Sequence, residues 1–365
     1  LGQAGKFPGA FDQYRTFSPT TVLNDVAGVS PDNPGNADLK PETTTEIEGG
    51  FDAGLFDDKI GLSFTYYYAR TRDALLEINL PPSEGFSDQR LANAGEIENK
   101  GWELSVNTTP INTADFRWSV DLNMDANENK ILDLGDQANW RTVQFKDGKG
   151  GFRVDSVMYL GGHEEGYPIR SQWTRMIESY DATTNEHTRT DYNVYAGPVL
   201  PTFTASLANT LTYGAFRVYA LVSMEDGAIF SNGDRSYRVR QGGGDEYLNL
   251  FDFNNLDSNG NPSPTTASDS LYNYFTLYSP RDSRDHVRLR EVSVSYSVPL
   301  DFTNRFGFGR TTLTLSGQNL YWWDDCNCMD PNMQYAGGSS FNQSGFLAMP
   351  QSRKFLFSVR TGFGG

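Results

Sequence analysis

Residues 93–130 read NAGEIENKGWELSVNTTPINTADFRWSVDLNMDANENK. Trp102, Leu104, Val106 and Thr108 share one parity, and Gly101, Glu103, Ser105 and Asn107 the other. After a short break Phe116, Trp118, Val120, Leu122 and Met124 alternate with Arg117, Ser119, Asp121, Asn123 and Asp125. A period of two is a β-strand with one dry and one wet face. The fold turns on what the dry face touches, a protein core or lipid.

The same alternation recurs along the chain. Strands are predicted over 43–55, 60–70, 101–109, 116–125, 202–213, 215–224, 286–299 and 310–321, with a last one setting Phe355, Phe357, Val359 and Phe363 against Ser358, Arg360 and Gly362. A further pair is expected near 152–160 and 168–178. Short links (56–59, 110–115, Gly214, about ten residues after 299) alternate with long polar gaps at 71–100, 126–201, 225–285 and 322–352. Short turns at one end and long loops at the other mark an outer-membrane barrel, whereas a sandwich mixes its loop lengths. Aromatics gather at strand ends, in Tyr66-Tyr67-Tyr68, in Phe116 with Trp118, and in Tyr321-Trp322-Trp323, as lipid-interface girdles require. The wet parity carries carboxylates, Arg, Ser, Thr and Asn in strand after strand, which a dry core rejects and a wet lumen accepts.

Composition agrees. Only 38% of the 365 residues are hydrophobic, low for a buried core of this size, and 13% are aromatic. The net charge of −16 argues against a nucleic-acid partner and fits a cation-tolerant lumen. No apolar run reaches the roughly 18 residues of a membrane-crossing helix, but barrel strands need only about 9–11 alternating residues. No signal peptide is visible at Leu1, and the chain starts without Met, so it is expected to be a piece of something longer.

With the strands in place, a resemblance emerges. NADLKPETTTEIEGGFDAGLFDDKIGLSFTYYYARTRD (36–73), NAGEIENKGWELSVNTTPI (93–111), EEGYPIRSQW (164–173), YAGPVLPTFTASLANTLTYGAFRVYALV (195–222), VRLREVSVSYSVP (287–299) and SGQNLYWW (316–323) occur in the order of the C-terminal barrel half of TonB-dependent outer-membrane transporters. The chain resembles the SusC/RagA branch of these transporters. The resemblance implies an all-β, antiparallel transmembrane β-barrel, with residues 1–365 forming about 10–12 strands of about 22, the size class with a plugged lumen. It implies TonB-dependent import of a nutrient such as an oligosaccharide or peptide. The implied partners are outer-membrane lipid, the N-terminal barrel half and plug of the same parent protein, a SusD-like surface lipoprotein, and the TonB complex acting through the plug. No stretch matches that plug or an N-terminal extension. Members usually end on an aromatic residue. Here Phe363 is followed by Gly364 and Gly365.

Chemistry is sparse. No G-x-S-x-G elbow, H-E-x-x-H pair or Walker loop occurs, so no catalytic, cofactor or metal residue is assigned and an enzyme is not expected. His163, His187 and His286 are scattered, and the glycines of 148–151 and 242–244 read as loops. Glu96 with Glu98 and Glu164 with Glu165 could act as acid–base pairs, but neighbouring carboxylates are more often solvated. Glu96 and Glu98 read better as a register-setting turn, with unusual angles at Gly95 and Gly101, than as lumenal ligand contacts. DFNNLDSNGNP (252–262) lacks the spacing of a calcium loop. Cys326 and Cys328 read as two thiols or one local disulfide in an exposed loop. Substrate-contacting residues are unknown; Trp140, Tyr247, Phe251, Tyr272, Tyr274 and Phe275 are loop aromatics able to stack on sugar rings or peptide side chains. Two alternatives remain: a non-transporting barrel (adhesin or scaffold), and a soluble glycan-binding β-sandwich.

Overall fold

The computed structural model describes residues 2–22, 26–78, 80, 82–86, 90–93, 95–134, 142–146, 152–156, 164–174, 177–181, 186–189, 194–241, 251–256, 262–264, 281–326, 328–332, 344–346 and 348–363. One 10-stranded antiparallel sheet dominates it. Its strands are β1 (Gly2–Lys6), β2 (Glu42–Leu55), β3 (Ile60–Arg72), β4 (Glu96–Asn112), β5 (Phe116–Asp133), β6 (Phe203–Tyr213), β7 (Phe216–Asp226), β8 (His286–Val298), β9 (Phe308–Asp324) and β10 (Lys354–Phe363). Each pairs with its neighbour in this order, so the topology is a plain meander. Among the described residues β1 and β10 are paired on one side only.

Every short link lies at one end of the sheet and every long one at the other. The short links are 56–59, 113–115, 214–215 and 299–307, the last holding the short helix α2 (Leu300–Asn304). Phe56, Asp57 and Asp58 all adopt positive φ, which tightens the first of them. Strands form within the ranges expected near 152–160 and 168–178, but among the described residues they do not pair with each other. Phe152–Ser156 pairs with Thr142–Lys146, and Ser171–Thr174 pairs with Val194–Pro198. Neither joins the main sheet, because each finds a closer antiparallel partner within the long 134–202 connection.

The dry parity is outward and bare. Ile47 is 60% exposed, Leu315 58% and Phe355 73%; Val294 is exposed and Trp118, Leu122 and Phe64 are half-buried. The strands make their main contacts with sheet neighbours, and β9 also with α2. No second layer therefore covers this face among the described residues, contrary to what a sandwich requires. One dry row runs Phe51, Phe64, Leu104, Met124, Ala205, Met224, Val287, Trp323 in register. It begins mid-strand in β2 and ends near the top of β9, so the strands are staggered as a tilted barrel wall demands. Asn209 also points outward, and the Trp118 indole donates to its Oδ1 at 3.3 Å, satisfying a polar group that faces away from water.

Aromatic belts bound this face. At the long-loop end Trp102 meets Phe203 (6.3 Å between ring centroids) and Tyr321 meets Trp323 (4.8 Å). At the short-turn end Phe216 meets Tyr296 (4.8 Å), Phe302 meets Phe306 (5.4 Å) and Phe308 meets Phe363 (5.6 Å). From Ile60 to Tyr68 the strand rises roughly 26 Å, or about 20 Å along the membrane normal at a tilt of about 40°, close to the ~25 Å apolar band of such barrels. Above Tyr68 the outward parity becomes charged. Glu96 pairs with Arg70 and, at 3.1 Å, with Arg72, while Lys100 bonds Glu98 at 3.2 Å and Glu128 at 3.4 Å.

These contacts correct the turn expected at Glu96 and Glu98. Both lie inside β4 on its outward face, away from the lumen, and the strand starts at Glu96 instead of Gly101. Gly95 does hold a left-handed φ of 79°, and a Cβ there would sit 1.5 Å from the Asp133 carbonyl oxygen. Gly101 has an ordinary strand backbone. It is glycine because a Cβ would lie 2.3 Å from the Ala126 oxygen and 2.4 Å from the Tyr67 hydroxyl.

Candidate functional site: the polar face of the sheet

The wet parity builds the opposite wall in registered rows. One row is Asp52, Ser63, Ser105, Asn123, Ser206, Ser223, Arg288, Trp322. The next towards the long loops is Gly50, Thr65, Glu103, Asp125, Thr204, Glu225, His286, Asp324. Two pairs of cross-strand neighbours in these rows are hydrogen-bonded. Ser105 donates to Asn123 Oδ1 at 2.8 Å, and the Thr204 hydroxyl donates to Asp125. Of the aromatic triplets, Tyr67 and Trp322 point to this side, opposite Gly101 and Arg288.

At the long-loop end of this wall, described parts of the connections pack against β7 and β8. A β-bulge at Arg290 places that guanidinium against the Ser223 hydroxyl (2.7 Å). Arg288, fully buried, forms an ion pair with the equally buried Asp330 and stacks over Trp322, its guanidinium carbon 4.9 Å from the ring centroid. Asp330 also accepts from the backbone N–H of Asn332 (2.9 Å) and of Gln351 (3.3 Å). Arg284 donates to the Pro331 carbonyl at 3.2 Å and lies 3.5 Å from Glu225. Burial lowers the pKa of Arg284 from its usual value, and Glu225 opposes that shift. The last long connection is thus pinned inward against β8 and β9. A short helix, α1 (Gly233–Arg240), is capped by the Asn232 side chain on Arg235 N (2.9 Å), and Asn232 donates to Asp282 at 2.6 Å. Tyr167, Trp173 and Tyr195 form an aromatic trio with centroids 4.7–5.5 Å apart. Burial, then Tyr167, raises the Tyr195 pKa.

Cys326 and Cys328 form a disulfide and are half-buried. Asp324, whose carboxylate lies with the two sulfurs within 4.8 Å, accepts from Cys326 N at 2.9 Å. Sulfurs bonded to each other offer no thiolate to a metal. Glu165 caps Leu134 N at 3.0 Å, a loop role rather than an acid–base one. His286 is buried, its Nδ1 2.7 Å from the Arg284 carbonyl oxygen. His163, Trp140, Tyr247, Tyr272, Tyr274, Phe275, Gly364, Gly365 and the glycines of 148–151 and 242–244 lie outside the described residues, as do the side chains of His187, Phe251 and the described part of 252–262. Reading by sequence missed the Arg288–Asp330 pair; the fold-back of the connection after β9 onto β8 brings these residues together.

A sequence profile for the TonB-dependent receptor-like β-barrel matches residues 1–320. The chain belongs to the TonB-dependent receptor-like β-barrel family. It is 28% identical over 366 residues to TonB-dependent receptor P26 of Formosa agariphila, covering 92% of this chain and 36% of that one. It is 36% identical over 107 residues to TonB-dependent receptor SusC of Bacteroides thetaiotaomicron, covering 29% of this chain and 11% of SusC. Its fold matches the solved structure of the RagAB peptide transporter with a TM-score of 0.71 at 18% identity, over 98% of this chain and 39% of that one. The chain therefore spans under two fifths of these longer relatives. As a barrel chain of this SusC-like family it belongs to the outer membrane, and the family is one of receptors and transporters. The greasy face is the one a bilayer covers, and the wet rows line the inside.

Proposed function

We propose that residues 1–365 are one portion of the barrel wall, with its extracellular loops, of an importer that takes up an oligosaccharide or peptide. The observation that carries this is the two-faced sheet: a bare apolar band between aromatic belts outside, and continuous polar rows inside. A cargo crossing along the polar rows exchanges water hydrogen bonds for hydroxyl, amide and carboxylate partners without entering lipid. The remaining strands of the parent protein pair with β1 and β10 to close a barrel of about 22 strands, the plugged size class. Unpaired edges in hydrocarbon leave backbone groups unsatisfied at several kcal/mol each, so the N-terminal half is required for insertion. A plug elsewhere in the parent protein gates the lumen and receives energy through TonB. A SusD-like lipoprotein caps the loop end. RagAB, which shares this fold, is a peptide transporter, and that supports peptide as one of the two cargo classes.

The test is a deletion of the parent gene, followed by uptake of labelled oligosaccharides and peptides by intact cells. Loss of uptake of either class, restored by the full-length gene, supports import. Unchanged uptake of both with loss of surface attachment selects the non-transporting barrel. Release of the protein from membranes by a carbonate wash removes both membrane readings.

A further inference from the structure

At the short-turn end of the inner wall, β5, β6 and β7 bring Arg117, Thr212 and Arg217 into direct register. Adjacent strands are about 4.8 Å apart, so the two arginine backbones stand about 10 Å apart with the threonine midway. All three line a cavity of about 580 Å³ together with Ser119, Thr210 and Thr109. Among the described residues neither guanidinium has a hydrogen-bond or ion-pair partner. The two acids that line the same cavity, Asp58 and Asp121, form no ion pair with either arginine. Asp121 lies roughly 13 Å along β5 from Arg117, and Asp58 sits in the 56–59 turn beside Lys59. The residue between the arginines is therefore a hydroxyl carrier, and both forked donors line the same cavity.

We propose that Arg117, Thr212 and Arg217 form a carboxylate-binding site at the short-turn mouth of the lumen. A carboxylate centred over Thr212 takes charge-assisted bonds from a guanidinium on each side and one from the hydroxyl. Two sources share this chemistry: an acidic side chain of the parent protein's own lumen-filling segment, and a carboxylate on a cargo leaving the barrel. The proposal rests on the wet face being the lumen wall.

The experiment uses the full-length parent protein in detergent, after a carbonate wash has shown that it stays with the membrane. Succinate is titrated calorimetrically, with succinamide as the uncharged control. With the site open, succinate binds and succinamide does not. The affinity falls at least about tenfold in Arg117→Gln/Arg217→Gln, falls less in Thr212→Val, and recovers in part in Arg117→Lys/Arg217→Lys. With the site filled from within, wild-type protein ignores succinate. The glutamine pair then lowers the unfolding midpoint by about 3 °C or more, and the lysine pair restores part of it. The proposal is overturned if succinate binds equally to the glutamine pair, or if succinate is ignored and the glutamine pair unfolds at the wild-type midpoint. If the glutamine pair does not fold, Thr212→Val alone decides: succinate affinity and unfolding midpoint both unchanged overturns the proposal. Release by the carbonate wash instead defeats the lumen reading itself.

Discussion

Replacing Leu315 by arginine separates a lipid-facing sheet from a water-facing one. Leu315 is 58% exposed and in register with Val294 and Phe357, both also exposed. Along β9 it lies roughly 20 Å of strand from Phe308 in one direction and from Tyr321 in the other. With a tilt of about 40° that is about 15 Å along the normal each way, the middle of a ~30 Å hydrocarbon core. Arginine at that depth costs about 2–4 kcal/mol, a roughly 30- to 900-fold loss in folding equilibrium. On a water-exposed surface the same change stays within about 0.5 kcal/mol. Its neighbour Ser316 points to the polar rows, where arginine is expected to cost under about 1 kcal/mol. The assay refolds full-length Leu315→Arg and Ser316→Arg proteins into lipid vesicles and follows the heat-modifiable gel band through a urea titration. If Leu315→Arg matches wild type, or Ser316→Arg is the more damaged of the two, the orientation assigned to every strand is wrong.

Three other outcomes are expected. Arg288→Met leaves Asp330 as an uncompensated buried charge and should cost about 3–5 kcal/mol, with faster protease cleavage within 325–332; adding Asp330→Asn should recover much of it but not the full amount, since Asp330 also holds Asn332 and Gln351. Gly95→Ala forces a side chain into a left-handed backbone and onto the Asp133 carbonyl, so outer-membrane yield should drop as for a loss of about 3 kcal/mol or more. Cys326→Ser with Cys328→Ser opens a ring that restricts few residues of the unfolded chain; the loss should be about 2 kcal/mol at most, and reductant should leave the double variant's unfolding unchanged.

Period-two alternation located β2 to β10 because a strand between lipid and water has to sort its residues by parity. It failed where that sorting changes. Glu96, Glu98 and Lys100 keep the outward parity but stand above the hydrocarbon, so β4 looked shorter than it is. GQAGK of β1 has no apolar alternation to find. The interior site was legible only as a polar parity. The Arg288–Asp330 pair joins residues far apart in sequence, and the flanking of Thr212 by two arginines exists only through register. Nothing local to either stretch encodes its partner.

The ion-paired rungs above Tyr68 act as a waterline. Sinking the wall by one residue pair would drag Glu98 and Lys100 towards acyl chains, while lifting it would strip the rings at Tyr66 and Trp102 of their interfacial berth. Both displacements are uphill, so this wall floats at a draught fixed to within about one rung, and whatever docks on its rim meets it at a constant height above the cell surface.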